Sequence, residues 1–201
     1  ASAQVTLLAG NQGALPNGGG GVLYFLTPRM DPGQVWVAVL SMTDGVTVNS
    51  VTHGGQAFEL KTGRAELGTR TEIWALENPD LSSWDVTFVL SGSSPVRAAI
   101  MSFGGAHRTT PFQGAVTAAG SSTAGSVALD MPPGTREIDA VVAALTASDE
   151  AAVPGLSVSP AGSLWGIGAD DGPLAVLGAT NRGGTNPVTW TWSVPGGGPT
   201  A

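Results

Sequence analysis

The chain has 201 residues, a formal charge of −7 at pH 7 and no cysteine, which excludes a disulfide framework and a thiolate metal site. Only 11% of its residues are charged, Lys+Arg 8 against Asp+Glu 15, so no basic patch is available for nucleic acid or anionic lipid. Hydrophobic residues at 42%, with 30 glycines and 14 prolines, imply a real core interrupted by frequent turns, and the length suits a single all-β domain.

The opening Ala1-Ser2-Ala3-Gln4 carries no charged or apolar leader pattern. It reads as a chain from which an initiator Met or an upstream signal peptide has been removed. No apolar run approaches the roughly 20 residues of a membrane helix, so membrane insertion is not expected. The first predicted strand is Gln4, Val5, Thr6, Leu7, Leu8 and Ala9. A glycine-rich stretch, Asn17-Gly18-Gly19-Gly20-Gly21, then reads as a flexible joint.

Further strands are predicted over 22–27, 34–42, 47–52, 57–62, 70–77, 85–91 and 96–103. Val35-Trp36-Val37-Ala38-Val39-Leu40 has no polar face and is expected to be a central strand covered on both sides. Ser50 to Phe58 reads as a hairpin, because Gly54 and Gly55 supply the positive φ of a tight turn. In 85–90 the side chains of Val86, Phe88 and Leu90 share one face and Thr87 takes the other.

The second half continues with strands over 115–119, 126–129, 138–146, 174–180 and 188–194. The last places Val188, Trp190, Trp192 and Val194 on one side and hydroxyls on the other. Residues 148–171 read as a long irregular loop carrying Trp165. The expected organisation is an N-terminal strand with its joint over 1–21, an antiparallel β-sandwich over 22–195 and a flexible tail over 196–201.

No Gly-x-Ser-x-Gly turn is present, and His53 and His107 are the two histidines, both beside glycine-rich turns where surface positions are expected. No zinc-ligand spacing occurs, and Asp170-Asp171-Gly172 reads as an acidic turn. Glu59, Glu72 and Glu77 fall on predicted strands, where carboxylates face solvent more often than a cleft. The expectation is therefore no catalytic residue, no metal and no cofactor. Trp84 and Trp165, in turn-like surroundings, are the candidates for ligand contact, with stacking on a sugar the relevant chemistry; Trp36, Trp74, Trp190 and Trp192 read as core.

An ordered set of motifs spans most of the domain. It comprises Val35-Trp36-Val37-Ala38-Val39, Val51-Thr52-His53-Gly54-Gly55, Glu72-Ile73-Trp74-Ala75-Leu76 with Asn78-Pro79, Val86 to Gly92, Ser102 to Phe112, and Val188 to Ser193. In this set the chain resembles β-sandwich modules of tailed-phage structural proteins and of bacterial surface or secreted proteins. The resemblance implies a jelly-roll-like or immunoglobulin-like sandwich without catalytic residues, used for display, adhesion or assembly. His107 departs from the acidic residue more usual there, and the last apolar strand of such modules has no counterpart before residue 201.

A sandwich short of one strand presents an open edge that invites pairing. Gln4 to Ala9 is the segment to fill it, within the molecule or in a neighbour by strand exchange, and is the expected assembly interface. The function implied is a non-catalytic module of a virion surface: a capsid decoration, head-fibre or tail protein, with capsid or tail proteins or copies of itself as partners. Alternatives are a secreted filament or cell-surface subunit built by strand donation, and a carbohydrate-binding or adhesion module with surface glycans as ligand.

Overall fold

The computed structural model describes residues 6–24, 34–66, 68–80, 85–106, 111–112, 124–129, 140–147, 157–159, 163–167, 175–182 and 188–193. Every regular element among them is a β-strand. In chain order they are β1 (Thr6–Tyr24), β2 (Val35–Thr43), β3 (Val48–His53), β4 (Gln56–Ala57), β5 (Glu59–Glu66), β6 (Thr69–Glu77) and β7 (Asp85–Gly104). These are followed by β8 (Ala124–Leu129), β9 (Ala140–Ala147), β10 (Ser157–Ser159), β11 (Ser163–Ile167), β12 (Ala175–Arg182) and β13 (Val188–Ser193).

β1 to β7 form one antiparallel sheet of order β4-β3-β7-β2-β6-β5, with β1 on the other side of β7. The sheet curls into a half-barrel because β7 serves two sets of neighbours. Its first half pairs with β3, Phe88 opposite Val51, and its second half with β2, Met101 opposite Val37. The inside of the curl is filled by alternate side chains of several strands: Trp36, Ala38, Leu40 and Met42, then Val51, Trp74 and Leu76, then Val86, Phe88, Leu90, Val96 and Ile100. Burial of Val86, Phe88 and Leu90 with Val89 exposed follows the period-two alternation of the sequence.

β2 is covered on both faces, as its unbroken apolar run requires. Val35, Val37 and Val39 turn away from the curl and pack with Met101 and Phe103, flanked by Ile73, Phe112 and Val142 of β9. The β3–β4 hairpin also forms as its glycines require, with Gly54 at φ 54° and Gly55 at φ 82°.

Two strands run longer than the sequence pattern predicts. The predicted segments 85–91 and 96–103 are one strand, β7, and residues 17–21 run inside β1 rather than as a free joint. The physical reason is the corner of the curl. Gly18 opposes Ser94 and Gly20 opposes Val89, so the ladder slips where the glycines can follow a sharp bend. Ser91 and Ser94 hold the β2–β3 turn against that corner: the Thr47 amide donates to Ser91 Oγ at 2.9 Å and the Thr43 amide to Ser94 Oγ at 3.0 Å.

Further along, β10-β13-β8 and β11-β12-β9 are separate three-stranded antiparallel sheets. β10 and β11 arise within 148–171, the stretch expected to be irregular. The predicted strand 115–119 and the tail 196–201 lie outside the described residues, as do His107 and Asp170-Asp171.

Candidate functional site

The edges of the curled sheet differ in how they meet solvent. β5 is one edge and bears charges along its length. Lys61 Nζ donates to Glu59 at 2.7 Å, and Arg64 Nε donates to Glu66 at 2.9 Å with a second contact from the same guanidinium. Its ladder slips between Leu60 and Thr62, a bulge that turns the strand. Charge and bulges are the usual means by which an edge is protected from an added strand. β4, beside β3, has two residues and offers little to pair with.

β1 is different. Its 19 residues, TLLAGNQGALPNGGGGVLY, contain no charged side chain. Among the described residues it forms a ladder with β7 alone, and β11 approaches it without pairing. Gly10, Asn11 and Gly19 are exposed along it, and Leu7 is 38% exposed.

The predicted interface residues Thr6, Leu7, Leu8 and Ala9 fall at the start of β1, gathered against the end of β7. Thr6 opposes Gly104, Leu7 opposes Phe103 and Ala9 opposes Ser102, with Leu8 at a register shift between them. Leu8 sits in a notch made by Gly104: a Cβ there would lie 3.0 Å from its Cδ1. In this chain β1 therefore pairs in cis. Gln4 and Val5 lie outside the described residues, as does Trp84. Trp165 lies on β11 opposite Gly178, and its side chain is not described.

Two polar residues expected at the surface are buried. His53, 1% exposed, stacks on Trp36 with ring centroids 4.2 Å apart. Its Nδ1 lies 2.7 Å from the carbonyl oxygen of Asp85, and its Nε2 makes a short contact with that of Asp80. A neutral imidazole has one N–H to donate and the doubly protonated ring has two, so the ring ties together the segments on either side of residues 81–84. Glu72, 3% exposed, accepts from Trp74 Nε1 at 2.9 Å and from Arg70 at 3.3 Å. A Cβ on Gly63 would lie 3.2 Å from Glu72 Cγ, so that glycine makes room for the buried carboxylate. Glu59 and Glu77 are exposed, as expected.

Glu72 is held by neighbours on its own strand, and His53 by carbonyl oxygens beyond its own. The buried carboxylate and imidazole belong to different parts of the core lining, and both are held by protein partners. Among the described residues no group of three or more His, Cys, Asp or Glu could hold a metal ion. No protein-family model, curated protein or solved structure matches the chain.

Proposed function

We propose that this chain is a non-catalytic structural module of a virion surface, a capsid decoration, head-fibre or tail protein, that acts through protein–protein assembly at its N-terminal strand. The observation that carries the reading is β1, a long uncharged strand with β7 as its one ladder partner among the described residues, in a sheet whose β5 edge is charged. Such an edge binds by main-chain hydrogen bonds, with side chains adding area and selectivity. The filled interior of the curl is consistent with a scaffold role. The virion setting rests on the ordered motifs from Val35 to Ser193. A two-layer sandwich belongs to the same reading, with the β11-β12-β9 sheet as second layer, supported by the packing of Val142 against the cluster of Val35, Val37, Val39, Met101 and Phe103.

The test is the solution mass, by light scattering, of the full chain and of a variant lacking residues 1–10. The expected result is a defined oligomer that the deletion dissolves while circular dichroism retains the β signal. A deletion variant that assembles normally overturns the role of the N-terminal strand. If both proteins are monomers, self-assembly is lost from the reading and docking on a preformed capsid surface takes its place.

A further inference from the structure

We infer that the protein binds an internal water molecule between Gln34 and Ser102, at the end of the curl where β2 begins and β7 ends. Both residues are buried, Gln34 3% and Ser102 0% exposed. The Nε2 and Oε1 atoms of Gln34 and the Oγ of Ser102 find no hydrogen-bond partner among the described residues. Buried amides and hydroxyls keep a partner in nearly every folded protein, and where side chains and backbone supply none, an internal water does.

The two side chains share one face. Ser102 opposes Trp36 and continues the row of Ala38 and Ile100 that lines the inside of the curl. Period two places Gln34 on the same face of β2 as Trp36. One further step of the register sets Gln34 opposite Gly104 and diagonal to Ser102, a Cα spacing of roughly 7–8 Å. At that spacing one small molecule joins two side chains that do not reach each other. Leu8 closes the place from β1, since a Cβ on Gly104 would lie 3.0 Å from its Cδ1.

Chemistry selects the occupant. The amide offers two N–H donors and a carbonyl acceptor, and the hydroxyl offers one donor and two lone pairs. Water fits either orientation of the amide, accepting from its N–H or donating to its carbonyl while it bonds to the hydroxyl. An ion meets no opposite charge on either group, and their burial confines the occupant to about the size of water.

The test is water-selective NMR on the labelled full chain, reading magnetisation transfer from water to the Gln34 side-chain amide and to the Cβ protons of residue 102. The expected result at the Cβ protons is laboratory-frame and rotating-frame effects of opposite sign, which mark a long-lived bound water. The Gln34 amide protons should exchange on the order of tenfold more slowly than those of Gln56, whose amide bonds to Asn78 O at the surface. Gln34→Met/Ser102→Ala removes both polar groups together and keeps Cβ protons at residue 102 as a probe. It should remain folded by circular dichroism and lose the water signal there. Contacts from the Gln34 amide to another protein group with none to water overturn the inference, as does exchange as fast as that of Gln56. A water signal that survives the double variant overturns the assignment to these two residues.

Discussion

At the scale of single residues, the core contains polar groups that hydropathy does not place there. Glu72 is buried because three residues at period two share one face of β6: Arg70 supplies a cation, Glu72 the acceptor and Trp74 an indole N–H. Removing the carboxylate leaves both donors without it in a poorly solvated place. Glu72→Ala is expected to cost about 3 kcal/mol, read as a lower urea midpoint at unchanged slope. The spacing Arg70-x-Glu72-x-Trp74 was visible in the sequence, yet a lone carboxylate on an alternating strand more often faces water. The burial of His53 runs against its local pattern for a different reason. Its position beside Gly54-Gly55 marks a turn, and turns lie at surfaces, but its ring folds back onto Trp36 from a strand distant in sequence.

At the scale of elements, strand type was legible wherever the apolar pattern was strict. β2, the first half of β7 and the β3–β4 hairpin follow from the unbroken run 35–40, the alternation at 86, 88 and 90, and the glycine pair at 54–55. Strand length was not legible, because Ser91-Gly92-Ser93-Ser94-Pro95 and the glycines of 17–21 read as loops when taken locally. They are instead the two sides of one corner, paired to each other through Gly18 and Ser94. The fit of β1 onto β7 is checked by Gly104→Ala, which crowds Leu8 at its notch. The expected outcome is a loss of roughly 1 kcal/mol, with faster hydrogen exchange in the first part of β1 than in β2.

At the scale of the whole molecule, the all-β antiparallel character of the described residues was legible, and their curling into a half-barrel was not. Curling depends on β7 taking β3 on one half and β2 on the other, and no local pattern encodes that choice of neighbours. The proposed function is still less local, since pairing at an edge uses main-chain atoms common to every residue. The overall charge nonetheless makes a distinctive prediction. If copies meet along an uncharged edge while their remaining surfaces repel, added salt should tighten association by screening the repulsion. Sedimentation of the full chain at low and at roughly 0.5 M sodium chloride should show a smaller dissociation constant at the higher salt, where the screening length is about 4 Å. An interface held by ion pairs would respond in the opposite sense.

Lys61 has a practical meaning beyond its part in guarding β5. It is the sole lysine among the 201 residues, and no cysteine competes with it for coupling reagents. Its ammonium stands 4.4 Å over the Phe112 ring and bonds to Glu59, and amine-directed conjugation meets no second side chain of its kind. β7, β2 and β6 separate it from β1 in strand order. A dye, tether or antigen therefore finds one side-chain amine, with the terminal α-amine as its competitor, and a group carried on Lys61 stands apart from the β1 edge in strand order.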